Sequence, residues 1–496
     1  MILKDMRNSC RIHQLNKQCV FNNGKYILYI MRCIRTNDSP SLQFSIEEAN
    51  LLKIPLICAF FYCPENHNKA QRVFLLEGLI EVKNRLNLLG IPLICLKIND
   101  KLAIEIATEL SKSACEIIID AGYLRNERLF EKKLNDNLID CSRRFTCIEG
   151  NLIVPVTLAS NSVEVGARTF RPKVWQHVST MLKEEFDDKI IVDVIDMRLN
   201  QMDLSTELTK ALKERDSSTK LIGGENEALK VLNDFVSKKM DEYDIKREIY
   251  VPFIPFILLL YSKSCRNVPT DNQSLLLPYL HYGMISPMEV MRKMNKSDVD
   301  VPCKNAYFEE LLIQRELSHN FVYYASDNYD KLDCLPKWAK ETMIKHAKDK
   351  REHLYTYEEL EQGQTHDIYW NAAQIEMVQT NVMHRYLRMY WAKRVIEWTP
   401  NFQHAFNFLL EQNDKYELDG NDPIGYARIL WCFGLHDRAH AERKIFGKLR
   451  YMNAEGLQRK YKNYIERYAK LNYRLVNRQI EFNETPRKKR KKIRKS

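Results

Sequence analysis

Apolar positions in the first 200 residues fall in short unbroken runs, KYILYIMR, PLICAFFY, PLICLKI, EIIID and NLIVPV, rich in β-branched and aromatic residues. A strand with one wet face alternates apolar with polar, so unbroken runs of this length fit strands buried on both faces. Between the second and third runs lies QRVFLLEGLIEVKNRLNLLG, whose apolar residues return at helical spacing and which stops at Gly90, before Ile91 and Pro92. Strand, helix and strand in succession predict βαβ units and hence an α/β, Rossmann-like, doubly wound parallel sheet. From about Asp187 to Lys220 the chain turns polar and charged, as in LSTELTKALKERDSSTK. Beyond it the strand-like runs give way to helical periodicity: in ENEALKVLNDFVSKKM, Leu229, Leu232, Phe235 and Val236 share one face. Gly223 and Gly224 match neither a phosphate loop nor a dinucleotide fingerprint and start a helix instead. The expected organisation is an α/β domain at residues 21–186, a linker at 187–222, an all-α domain at 223–480 and a basic tail at 481–496.

A chain of 496 residues exceeds what one core supports and accommodates two or three domains. With 45% apolar and 28% charged residues it has the balance of a folded protein. The formal charge of +11 changes the picture less than its size implies, because PRKKRKKIRKS, the last eleven residues, carries eight of the cations and no acid. The remainder, at +3, is nearly neutral, so affinity for DNA must come from a local patch. The tail fits a nuclear-localisation signal or a phosphate-binding arm, or else a solvated extension. Thirteen scattered cysteines and no signal peptide at MILKDMRNSC point to a reducing, intracellular location without disulfides. YVPFIPFILLLY (250–261) is too short to cross a bilayer and carries Pro252 and Pro255, so no membrane association is expected. His436 and His440 are spaced like two ligands on one helical face, but no acidic or cysteine set completes a shell, and no metal site is assigned.

Three of the six tryptophans lie in WNAAQIEMVQTNVMHRYLRMYWAKRVIEW, residues 370–398. On a helix Trp391 and Trp398 fall within about 20° of one face. Trp370 would lie about 31 Å from Trp391 along an unbroken helix, but Gln379-Thr380-Asn381 is a place where the chain can turn and bring it back. Three aromatics filling a core is the plain reading. Against it, Arg388 sits one turn after His384 and one turn before Trp391, a cation on a face otherwise apolar that demands an acidic partner if buried. Asp414, Glu417, Asp419 and Asp422 in NDKYELDGNDPIGYARILW are available for that role. With no nucleophile motif, metal set or phosphate loop, such a pocket suits a bound chromophore or redox cofactor.

These residues resemble the class II cyclobutane pyrimidine dimer photolyases, of the photolyase and cryptochrome superfamily, from about Tyr29 to Lys460. Seven segments carry the resemblance in family order: VEVGARTFRPK (163–173), SLLLPYLHYGMISP (274–287), FEELLIQRELSHNFVYY (308–324), THDIYWNAAQ (365–374), HRYLRMYWAKRVIEW (384–398), NDKYELDGNDPIGY (413–426) and HDRAHAERKIFGKLRYMN (436–453). The resemblance implies an α/β domain followed by a helical domain holding FAD, active in its reduced anionic form, with an antenna chromophore left unspecified. It implies light-driven repair of dimers in double-stranded DNA by a monomer, a DNA-containing compartment such as the nucleus, and the dimer flipped out of the duplex. By the same resemblance Trp391, Trp370 and Trp398 form an electron-transfer chain, with Trp391 nearest the flavin, Trp370 in the middle and Trp398 at the surface. Arg388 and Asp419 are the ion pair beside the flavin, Asn413 faces its N5, and Tyr243, Ser274, Leu275, Leu276, Leu277 and Gly420 belong to the cofactor segments. Glu310 corresponds to the carboxyl that bonds the dimer, Met389 and Trp431 to residues that pack on it, and Arg450 to a phosphate contact.

The chain departs from the family pattern in places. Leu277 stands where a second serine is usual, Asn381 and Val382 replace a Gly-Lys pair, Arg385 replaces a glycine, Ile424 an asparagine and His440 a tryptophan, and Ile30 and Cys33 break the N-terminal signature. Arg247 to Cys265 looks like an insertion. Two other functions share the cofactor residues: a cryptochrome-type flavin photoreceptor without repair, and a DNA-binding protein whose flavin site has decayed.

Overall fold

The computed structural model describes residues 10–183, 202–215, 217–240 and 273–461, with positions 465, 466, 468–470 and 472 beyond them. Tyr243, the apparent insertion Arg247 to Cys265 and the basic tail lie outside the described residues.

The N-terminal half is one six-stranded sheet of order β1-β6-β5-β2-β3-β4, from β1 (Ile12–Gln14), β2 (Tyr26–Ile30), β3 (Leu56–Tyr62), β4 (Leu93–Lys97), β5 (Ala114–Asp120) and β6 (Arg144–Ile148). All neighbours are parallel except the edge strand β1, which runs antiparallel to β6. Alternate residues of the central strands feed two different cores. Leu28, Ile30, Ile57, Ile94, Ile117 and Ile119 pack with Ala107 and Leu110 of α3 (Asp100–Ser111) and Leu134 and Leu138 of α4 (Arg125–Asp140). Ile27, Tyr29, Cys58, Phe60 and Leu93 face the other way, onto α1 (Pro40–Leu52) and α2 (Lys69–Leu88). Burial on both faces is why the runs in the sequence are unbroken, and four of the five expected strands form where they were read.

The fifth does not. NLIVPV (151–156) is irregular although Leu152, Ile153 and Val154 are buried. Side chains, rather than a ladder, satisfy its backbone. The buried Arg11 guanidinium donates to the carbonyls of Glu149, Leu152 and Ile153 at 2.7–3.0 Å, and the Glu316 carboxylate accepts from the Ile153 and Val154 amides. Here an apolar run marks burial and not extension. The sixth strand is RFTCI instead, whose alternation hid it: Arg144 and Thr146 turn to the buried carboxylate of Glu116.

Past Gly224, at φ +125°, the described residues are mainly helical, beginning with Glu225–Lys238. Gly223 is required by close approach, since a Cβ there would lie 1.8 Å from the Phe74 carbonyl oxygen. Two irregularities set up the site. A π-helical turn, Glu309–Gln314, interrupts the rod between Val301–Phe308 and Arg315–Tyr324, and such turns concentrate where function needs a re-aimed side chain. Helix Ile368–Thr380 ends at Asn381, left-handed at φ 61°, and helix Arg385–Trp398 returns beside it, so the turn expected near Thr380 is present. Asn381 is one of the few side chains that adopts that conformation at little cost.

Candidate functional site

The aromatic segment folds back on itself. The Trp370 indole N–H donates to the carbonyl of Trp391 at 3.0 Å, and its ring centroid is 5.5 Å from that of Trp398. Trp370 therefore touches two residues that both follow it in sequence. The Trp391 N–H donates to Gln374 Oε1 at 2.8 Å; Gln374 is one turn beyond Trp370 on the same helix, a spacing visible in the sequence but not singled out. Trp398 departs from expectation: it is 1% exposed, not at the surface. Tyr355 and His366 cover it at 5.6 and 5.2 Å, and the Arg394 guanidinium lies 4.5 Å over its ring. His366 is exposed and accepts or shares the Tyr355 hydroxyl proton, so the aromatic path reaches solvent one layer further out.

Arg388 finds its acid. Its guanidinium donates to both Asp419 oxygens at 3.1 and 2.8 Å and pairs with Glu417 at 2.7 Å. Asp419 is the partner expected from the resemblance; Glu417 is a second one. Burial pushes the Glu417 carboxyl up to about 8 against the pull of Arg388, whereas both carboxylates hold Arg388 above its ordinary value. The loop that carries them is held by the other domain. The Gln71 amide, in the first turn of α2, donates to the carbonyls of Glu417, Leu418 and Gly420 at 3.1–3.4 Å, and Asn68 to Asp414 and Glu417. Gly420 lines neither cavity described below; a Cβ there would meet Asp414 Cα at 2.9 Å, so its glycine serves a close turn.

Two adjoining cavities lie over this framework. The first, about 140 Å³, is lined by Ser274, Leu275, Leu277, Tyr307, Arg315, Val382, His384, Arg388 and Asp419 among others. Leu275 sits at φ +55°, a strained conformation for a branched side chain of the kind held at binding sites, while Leu276 turns away into the core. The second, about 270 Å³, brings Met389, Trp391, Asn413 and Trp431 together, with Gln314, which sequence reading missed, and His436, which it weighed only as a metal ligand. Asn413 is 5% exposed and donates to Asp414 at 2.9 Å; Gly425 packs on its amide, where a Cβ would come within 3.0 Å. Glu310, Arg385, Arg388 and Arg428 line both cavities. Glu310, re-aimed by the π-turn, forms an ion pair with Arg385 and lies 3.7 Å from Arg428.

At the rim, Arg450 pairs with Asp437 at 3.2 Å and lies 5.1 Å over the Trp431 ring. His436 and His440 share no helical face: the stretch after Gly434 is irregular, His436 packs edge-on against Phe321, and His440 is 3.4 Å from Asp437. Among the described residues no group of three or more potential metal ligands converges. No described helix is long and apolar enough to cross a membrane.

The DNA photolyase family model matches residues 27–189. Over 465 residues, 92% of this chain and 97% of the relative, the sequence is 36% identical to the deoxyribodipyrimidine photo-lyase of Methanothermobacter thermautotrophicus. The chain belongs to the DNA photolyase family. The deoxyribodipyrimidine photo-lyase of Potorous tridactylus is 32% identical over 93% of the chain and 84% of its own length. Among solved structures, a class III photolyase from Agrobacterium tumefaciens superposes with a TM-score of 0.66 at 16% identity, over 92% of this chain and 90% of that one. A Synechocystis cryptochrome gives 0.69 at 14% identity, over 92% and 89%. These two share the fold.

Proposed function

We propose that this photolyase-family chain is a class II enzyme that repairs cyclobutane pyrimidine dimers in DNA, and that FAD occupies the two adjoining cavities. The observation that carries the reading is the second cavity. It places Trp391 and Asn413 against the same space as Glu310, Met389 and Trp431. The donor set fits a dinucleotide flavin: the Nε atoms of Arg388 and Arg315, which both line the first cavity, are buried and donate to no atom of the described protein. A photolyase structure from Sulfolobus tokodaii, similar in fold at a TM-score of 0.65 and 16% identity, was solved with two FAD molecules. FAD, bound and in its reduced anionic form, supplies the light-absorbing electron donor.

The chain's own residues supply the rest. Ser274 and the Leu275 turn, with Arg315, bind the phosphates, although Leu277 contributes no hydroxyl. Arg388, held by Asp419 and Glu417, sets positive charge beside the ring without a mobile counter-ion, the pre-organised electrostatics that protein groups add to a cofactor. Asn413 presents its amide to the ring, fixed in place by Gly425 and Asp414. Trp391, Trp370 and Trp398, with Tyr355 beyond, form a dry aromatic relay through which the flavin can be re-reduced. Met389 and Trp431 pack on a flipped-out dimer and exclude water, Glu310 hydrogen-bonds it, and Arg450 contacts a phosphate. Purified full-length protein is expected to show flavin absorption that bleaches on illumination with a thiol, and to clear dimers from an irradiated oligonucleotide under blue light. A flavin-loaded protein that leaves dimers intact would return the photoreceptor reading; a protein without flavin would return the decayed site.

A further inference from the structure

Arg385 and Glu310 form an ion pair where the two cavities meet. Val382, three residues earlier, lines the same first cavity as Arg385. Arg385 is the first residue of helix Arg385–Trp398, where the positive end of the helix dipole disfavours a cation, so the guanidinium needs an anion. Its side chain is 44% exposed and borders both cavities, and the anion it meets is Glu310, 15% exposed. Arg428 and Arg388 border the same two spaces, leaving the boundary richer in cations than in carboxylates. Burial beside Arg385 brings even the Arg428 guanidinium down to about 10.

We infer that Arg385 is a phosphate-binding residue, held by Glu310 until a phosphate-bearing ligand draws it away. Swinging to a phosphate oxygen exchanges one charge-assisted hydrogen bond for another and frees the Glu310 carboxylate for a second ligand. The inference rests on the photolyase reading for the identity of those ligands. The phosphate is either the diphosphate of the cofactor or a phosphodiester beside the flipped base, and the two are separable.

The full-length flavin-loaded protein is compared with Arg385→Gly, Arg385→Gln, Arg385→Lys and the double exchange Val382→Lys with Arg385→Gly. FAD release on dilution is followed by flavin fluorescence, and binding of a dimer-containing oligonucleotide across a salt series. If the phosphate is the cofactor's, the Gly and Gln variants release FAD about tenfold more readily, the loss of one charge-assisted bond, while Lys and the double exchange hold it. If it is DNA's, FAD retention stays constant and the slope of log K against log salt drops by about 0.9 in Gly and Gln but not in Lys. Either result supports the assignment. FAD release and salt slope both unchanged in Arg385→Gln, or Lys behaving like Gln, would overturn it. A wild-type chain that neither holds flavin nor prefers dimer DNA defeats the parent reading separately; inorganic pyrophosphate titrated against tryptophan fluorescence then still tests Arg385, with Arg385→Gln expected to weaken the response.

Discussion

At the scale of single residues, the tryptophans answer two demands at once. Trp370, Trp391 and Trp398 are 0%, 3% and 1% exposed, so each is core, and truncation to alanine would cost about 3–5 kcal/mol through the cavity it leaves. Phenylalanine is therefore the informative change. Trp391→Phe loses the bond to Gln374 but keeps most of the volume; it is expected to retain FAD and to abolish or greatly slow photoreduction, seen as a flavin band that no longer bleaches with thiol and light. Unfolding of the domain instead would show the residue to be packing alone. His384 offers a pH test. It caps helix Arg385–Trp398 through its side chain and is buried, and burial beside Arg385 holds its imidazole down at about 3. Between that value and the ordinary 6.5 the unfolded chain binds a proton that the folded one does not, so stability is full above about 6.5 and is lost as pH falls, by about 1.4 kcal/mol per unit. His384→Asn keeps a capping acceptor and removes the titration. Its thermal midpoint should fall less than that of wild type between pH 7 and pH 5.

At the scale of elements, the site depends on irregular pieces placed by regular ones. Helix α2 is held at its first turn by a capping box between Asn68 and Gln71, and both side chains also reach the loop that carries Glu417 and Asp419. Gln71→Ala removes a buried donor from three carbonyls and should cost about 1–3 kcal/mol. Because that loop orients Arg388, the variant is also expected to retain FAD several-fold less well in a dilution assay, though no atom of Gln71 lines either cavity. The helical periods that announced these elements were legible in the sequence, as was the reversal near Thr380. The π-turn was not, since EELLIQ has ordinary helical composition and the extra residue per turn shows only in which way Glu310 points. Likewise, NLIVPV carried the composition of a strand, while the groups that pair with its backbone, Arg11 and Glu316, lie 142 and 163 residues away from Ile153.

At the scale of the whole molecule, charge and recognition separate. Eight cations of the net +11 are in the last eleven residues, beyond the described fold. Deletion after Thr485 is expected to flatten the salt dependence of non-specific DNA binding, measured as Kd across a salt series, or to shift localisation, while flavin content and dimer repair stay unchanged. Loss of flavin in that truncation would show the tail to be part of the fold. What the sequence determined by itself follows from local rules: unbroken apolar runs require two-sided burial, helical spacing requires a buried face, and the seven segments in order mark the family. What only the tertiary structure decided are the pairings between distant side chains. Glu417 joins Asp419 on Arg388, Arg385 takes up Glu310, and Tyr355 with His366 covers a Trp398 that would otherwise meet solvent. Each of these turns on distance and direction in a low-dielectric interior, where a few ångströms decide which of several available charges become partners, and spacing along a chain does not encode that choice.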